Sequence, residues 1–267
     1  MNEVIIRSLS GMAYIILMLG SLYLPPIYLH ILFSIFVLVS ALEMFAMNIR
    51  TEVDVPLWWA LLPITFYLSL GVPQMGVEFG LALSMLILFF VMIHTLLQEE
   101  ISSFTMVGRL LLITVYVGVP FISALRLNSY ETSGLPLLAS IYILVWTNDT
   151  MAYVFGKWLG ATPLAPTISP GKTIEGLVGG FLSTLTVGLI FYYFQRDFGL
   201  LIWITLAICA TSLGTLGDLF ESKLKREAQI KDSGYVFPGH GGLLDRLDSL
   251  LFVLPACYFI FSLFVTN

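Results

Sequence analysis

Charge is what this chain of 267 residues has least of. Asp, Glu, Lys and Arg make up 11% of it and apolar residues 58%, against about 25% and 45–50% in an ordinary soluble domain. No soluble fold hides that much apolar surface, which excludes a water-soluble globular protein and predicts an integral membrane protein. Cysteine is nearly absent. Cys209 and Cys257 both fall inside apolar runs, without metal-ligand spacing, and read as small packing residues that leave the redox compartment open. Histidine is scarce too, and His30, His94 and the acidic Glu78 carry no pattern beyond interfacial or packing positions. There is no internal repeat, no low-complexity tract and no linker long enough to part domains. The net charge of −5 decides little, because in membrane proteins the sidedness of charge matters more than its sum. No nucleic-acid partner is expected.

What is present is a series of long apolar runs. A spanning helix needs about 20 mostly apolar residues, since lipid offers backbone groups no partner outside the helix. Nine runs qualify, near Ser8–Leu24, Ile27–Met47, Leu57–Leu70, Val77–Leu97, Gly108–Leu127, Leu135–Phe155, Ile174–Phe194, Leu200–Phe220 and Ser249–Thr266. The third is short. Pro25-Pro26, Pro56, Gly71-Val72-Pro73 and Pro136 punctuate their ends as helix breakers do. Arg7 precedes the first run, but no small-residue cleavage site follows, so that run reads as a retained span. The expected fold is an all-α polytopic membrane protein of about nine helices. Residues 1–135 hold the first five spans, and residues 136–267 hold the last four with the polar loops.

The basic residues orient it. Arg7, Arg50, Arg109, Lys157, Lys172, Lys223, Lys225, Arg226, Lys231 and Arg246 fall on the N-terminal side; Arg126 and Arg196 alone fall on the other. Positive charge accumulates on cytoplasmic loops, which predicts a cytoplasmic N-terminus, an outside C-terminus and cytoplasmic polar loops in a multi-pass cell (inner) membrane protein.

The polar residues gather in three places. The largest is the block from Ser222 to Asp248, which holds five of the twelve Lys and Arg residues. Asp218 stands just before it, and positions 218, 221, 222 and 225 share a helical face, so Asp218, Glu221, Ser222 and Lys225 stack over two turns. Asp245 and Asp248 are three apart and share a face if the ninth helix begins early. Three carboxylates converging at the boundary suit a surface salt-bridge network with Arg226, Lys231 and Arg246, or a Mg²⁺ site, and the metal is the favoured reading because Mg²⁺ takes one or two carboxylates plus phosphate oxygens. A second cation is left open, of unfixed identity, with monovalent K⁺ as one case. Aspartates beside Lys and Arg suit a metal-bridged phosphate neutralised from several directions. Gly239, Gly241 and Gly242 let backbone amides approach phosphate oxygens, or simply make a tight loop. His240, a lone loop histidine, reads as a hydrogen-bonding residue more readily than as a general base.

The second place is Trp146–Gly160, where Asn148 and Asp149 lie well inside a span and serve either helix–helix hydrogen bonding or substrate contact. The third is Ile168–Gly176. Gly171-Lys172-Thr173 suggests a P-loop, but Pro166 stands where its first glycine belongs. A lysine and a glycine just before a helix N-terminus still make an anion site. Gly176 and Gly180 form a G-x-x-x-G pair, predicting close helix packing. Glu43 and Arg7 lie near helix ends, to pair or to meet a lipid headgroup.

Ser222-Lys223-Leu224-Lys225-Arg226, then Lys231-Asp232, then Pro238-x-His240-Gly241-Gly242-x-x-Asp245-Arg246-x-Asp248 resembles the signature of the phosphatidate cytidylyltransferases. Asn148-Asp149 to Gly160 and Ser169 to Gly176 are similar to that family as well, so the resemblance covers about half the chain, from Trp146 onward. It implies that CTP and phosphatidic acid give CDP-diacylglycerol and pyrophosphate, with Mg²⁺, at the cytoplasmic face of the bilayer, by a homodimer. An ionised lipid phosphate needs no base, which argues against such a role for His240. Asp218, Asp245 and Asp248 would be the metal ligands. Lys223, Arg226, Lys231 and Arg246 would hold the triphosphate or the lipid phosphate, with Asn148, Asp149, Lys172, Ser222, Lys225 and the loop Gly239–Gly242 contacting substrate. The alternative is a transporter of an anionic solute, which should carry an inverted repeat; none is found. The D-G-x-x-A-R pattern of a CDP-alcohol phosphotransferase is also absent.

Overall fold

A computed structural model of the chain describes residues 3–49, 63, 67, 106–236, 239 and 241–265. Helices α1 (Glu3–Gly20), α2 (Pro26–Ile49), α3 (Met106–Asn128) and α4 (Leu137–Leu159) are followed by a hairpin, β1 (Pro163–Ala165) and β2 (Ser169–Thr173). Then come α5 (Ile174–Phe194), α6 (Leu200–Glu227) and α7 (Leu244–Val265). Among the described residues six helices, α2 to α7, are long and apolar enough to cross a bilayer, while the apolar stretch Ser8–Tyr23 is shorter. The expected runs Leu57–Leu70 and Val77–Leu97 lie outside the described residues, apart from residues 63 and 67. Large apolar side chains such as Ile16, Phe194 and Leu201 are mostly exposed, as a lipid solvent allows. Pro120 and Pro255 stand inside α3 and α7, a placement that spanning helices tolerate where neighbours satisfy the freed carbonyl.

Among the described residues the all-helical expectation has one exception, the antiparallel pairing of β1 with β2. Its sequence carries Pro163, Pro166 and Pro170, which would forbid a central strand. In a two-stranded ribbon both strands are edges, where proline is admitted.

Two compact units are each drawn from separate stretches: Met1–Leu125 with Lys223–Leu247, and Arg126–Ser222 with Asp248–Asn267. In the first, Phe33 and Phe36 pack on Phe121 at 5.2 and 6.1 Å between ring centroids. The Tyr14 hydroxyl donates to the Arg246 carbonyl at 3.1 Å. In the second, Phe198 stacks edge-on with Phe261 at 4.8 Å, and Phe191 lies against Trp203 at 5.2 Å. Gln195 Nε2 donates to the Leu135 carbonyl at 2.6 Å.

α4 and α5 approach so closely that only glycine fits between them. A Cβ at Gly176 would lie 2.6 Å from the Ala152 carbonyl oxygen, and one at Gly180 would lie 2.8 Å from Asn148 Oδ1. The predicted role of the Gly176/Gly180 pair is therefore met, and Gly179 extends it by lying under the Phe155 ring.

Two helices outrun their apolar segments. α6 continues past Phe220 because Glu221–Glu227 are good helix formers without a breaker. It stops where Gln229 turns left-handed (φ 54°), with Ile230 N donating to Lys225 O and Gln229 N to Arg226 O, at 2.9 and 3.0 Å. That is a Schellman ending with glutamine in the usual glycine position. α7 begins at Leu244, five residues before its apolar run, so Asp245 and Asp248 are both helical.

Candidate functional site

In the second unit a cavity of about 500 Å³ opens beside α4, β2 and α6, lined by Asn148, Asp149, Tyr153, Lys157, Lys172 and Asp218 among others. Its charged wall is set by local structure. Thr173 caps α5, its Oγ1 accepting from Gly176 N at 3.1 Å, and Glu175 accepts from Ala161 N and Thr162 N at 3.0 and 3.1 Å. These bonds clasp the hairpin to the helix and deliver Lys172, whose Nζ pairs with Asp218 Oδ2 at 2.5 Å. Ser222 Oγ donates to the other Asp218 oxygen at 3.3 Å, as the shared helical face predicts. In the sequence Thr173 figures in the P-loop comparison and Glu175 in the family resemblance, neither of them in this role; a threonine just before an apolar run was the available signal for the cap.

Negative charge is concentrated here. Asp248 interacts electrostatically with Asp218, Glu221 and Asp149, and Asp149 in turn with Asp218 and Lys172. Asn148 Nδ2 donates to Asp149 Oδ1 at 3.2 Å. Asn148 is 1% exposed, and its Oδ1 has no hydrogen-bond partner among the described residues, so one buried acceptor remains to be satisfied. Asn148 packs against α5 at Gly180 and lines the cavity.

In the first unit the glycine-rich loop is folded onto two carboxylates. Asp245 accepts from Lys225 Nζ at 2.6 Å, from Ser233 N at 2.8 Å, from Ser233 Oγ at 3.0 Å and from Gly242 N at 2.8 Å. Glu43 of α2 accepts from Ser233 Oγ, Leu243 N and Leu244 N, each at 2.9 Å. Gly239 and Gly241 have φ of 76° and 84°, where a side chain would be strained. Lys231 and Asp232 are exposed on this loop and line a smaller cavity of about 200 Å³ with Ala46 and Met47. Lys223 is buried and interacts with Glu227, Arg226 is exposed, and Arg246 is half-buried. His240 lies outside the described residues.

Asp218 and Asp248 are thus brought together with Asp149 in one unit. Asp245 belongs to the other, where both its oxygens are engaged. The amide of Gly242 is spent on Asp245. Glu43 and Ser233 were not singled out by sequence as site residues, although an acid within an apolar helix is itself a signal.

The sequence matches the profile of the cytidylyltransferase family over residues 5–264. A phosphatidate cytidylyltransferase of Staphylococcus aureus is 36% identical over 258 residues, covering 94% of this chain and 96% of its own length. One from Staphylococcus haemolyticus is 34% identical over 253 residues, with the same coverage. One from Bacillus subtilis is 36% identical over 211 residues, covering 78% of this chain and 76% of its own.

Proposed function

This chain belongs to the cytidylyltransferase family, and on that footing we propose that it transfers the cytidylyl group of CTP to phosphatidic acid. A phosphate oxygen of the lipid attacks the α-phosphorus of CTP, the bond from that phosphorus to the α–β bridging oxygen breaks, and pyrophosphate leaves with the electron pair. CDP-diacylglycerol remains in the bilayer. The observation that carries this reading is the family match along nearly the whole chain, together with a charged cavity in a molecule otherwise built for lipid.

The lipid phosphate is already ionised at neutral pH, so no side chain need remove a proton, and the protein's task is positioning and charge neutralisation. Lys172 at the cavity, and Lys223, Arg226, Lys231 and Arg246 near the loop, are the cations we assign to phosphate oxygens. Asn148 and Asp149 line the lipid-phosphate or nucleotide side of the cavity. The donor set fits Mg²⁺: clustered carboxylates and an unpartnered amide oxygen are hard oxygen ligands. Among the described residues no three acidic, histidine or cysteine side chains form a ready cage, which suits an ion that completes its shell with phosphate oxygens and water. Mg²⁺ held by Asp218 and Asp248 would polarise the triphosphate and offset its charge. Asp245, already engaged by Lys225, Ser233 and Gly242, would share its carboxylate with those donors if it also held an ion. We further propose a homodimer and a site facing the cytoplasm.

Purified protein given phosphatidic acid, Mg²⁺ and each nucleoside triphosphate in turn should release pyrophosphate and form a nucleotide-linked lipid with CTP. No such lipid with CTP overturns the reading. Sidedness has its own test. Tyr235 is 92% exposed on the loop carrying Lys231, so a Tyr235→Cys variant in oriented vesicles should react with an impermeant thiol reagent from the cytoplasmic side. Reaction from the external side alone would reverse the topology.

A further inference from the structure

Glu43 is an acid in the apolar helix α2, 7% exposed, and among the described residues none of its hydrogen bonds comes from a basic side chain. What it meets instead is a set of donors from one distant segment: Ser233 Oγ, Leu243 N and Leu244 N. Two of these are the free amides at the start of α7, where a carboxylate both satisfies unpaired donors and opposes the positive helix end. The segment is shaped to receive it. A Cβ at Gly234 or at Gly242 would come within 2.5 Å of Glu43 Oε1, so glycine at both positions keeps the carboxylate's place open. Ser233 has one hydroxyl proton, yet it lies 2.9 Å from Glu43 and 3.0 Å from Asp245, which ties the two acids to a single anchor.

From this we infer that Glu43 is a positioning residue for the reaction, acting as the template on which the segment bearing Lys231 and Arg246 is set. The inference rests on the function proposed above, in which those two cations serve phosphate oxygens. Ser233 is two residues beyond Lys231, and Leu244 is two residues before Arg246. The carboxylate therefore fixes the backbone close to both without itself touching substrate. Glutamine at position 43 keeps the shape but has one acceptor oxygen for three donors, and its NH₂ would face an N–H or O–H. The loop would then sit differently, and misplacement of about 1 Å is enough to cost about 100-fold in rate.

The experiment compares wild type, Glu43→Gln and Glu43→Asp of the full chain in detergent, reading three quantities. The first is backbone amide exchange at Leu243 and Leu244, with peptides of α4 and α5 as internal reference. The second is kcat and KM for CTP and for phosphatidic acid, and the third is the melting temperature. Glu43→Gln should speed exchange at Leu243 and Leu244 about 10-fold or more without changing the reference peptides. It should lower kcat/KM for CTP about 100-fold, more than any fall in melting temperature would explain, and Glu43→Asp should recover part of both. Unchanged exchange at Leu243 and Leu244 overturns the template. Faster exchange with unchanged kinetics overturns the positioning role and leaves a helix cap. A wild-type protein that does not turn over CTP with phosphatidic acid overturns the proposed reaction, and the positioning role with it, while the exchange comparison still reads the template.

Discussion

Replacing Asp218 or Asp248 with asparagine is expected to lower turnover of CTP and phosphatidic acid by about 100-fold or more, the cost of losing one charged ligand where phosphate charge must be offset. The structure sharpens this into a pair of opposite effects. Asp248 is set among Asp218, Glu221 and Asp149, and like charges so placed disfavour one another. Asparagine at 248 keeps the shape and removes a repelling charge, so the folded protein should hold its stability or gain some while activity falls. At 218 the change strips Lys172 of its counterion. Thermal unfolding and single-turnover rates on the same preparations check both. Near-normal rates in both variants would remove these aspartates from the chemistry, and a large loss of stability at Asp248→Asn would mean that its charge serves the fold instead.

Gly180→Val is the second large effect, and it acts through packing. The first carbon of the new side chain would already meet Asn148 Oδ1 at 2.8 Å and the Asn148 carbonyl at 3.0 Å. The obstacle is backbone as well as side chain, so α4 and α5 must separate. Overpacking of this kind costs about 1–3 kcal/mol, occasionally more, and it displaces the residue whose amide lines the cavity. Lower melting temperature and lower activity should therefore appear together. Gly20→Ala is the matched control, because a Cβ there meets nothing within 4 Å. Equal melting temperatures for Gly180→Val and Gly20→Ala would refute the close approach.

The apolar pattern was legible because lipid imposes a single rule on every span. The run Ile174–Phe194 coincides with α5 residue for residue, since Thr173 caps one end and hydropathy ends with the other. Helix ends set by polar chemistry were less legible. Phe220 marks where apolar character stops, whereas α6 ends seven residues later, because its termination depends on the left-handed Gln229. Close packing could be read from Gly176 and Gly180, for small residues in a spanning helix have few other uses. The roles of Asp245 and Glu43 could not be read in that way. A carboxylate that holds a loop and one that holds a cation look alike in sequence, and only the donors around Asp245 separate its present engagement from that of Asp218. Glu43 lies 190 residues from Ser233, and no local spacing records a contact of that length.

The contact between Lys172 and Asp218 has one more consequence, for the order in which charges are exchanged. Both side chains are partly exposed, at 25% and 31%, so their pairing is worth ~0.2–1 kcal/mol and is readily given up. While it lasts, the charge of each is partly offset by the other, which weakens the pull of Lys172 on an anion and of Asp218 on a cation. An anion that draws Lys172 away leaves Asp218 more receptive to a cation, and a cation at Asp218 releases Lys172 to an anion. By thermodynamic linkage each enhances the other's affinity by the same factor. A pocket whose lysine and aspartate are paired at rest therefore favours the two ions together over either alone.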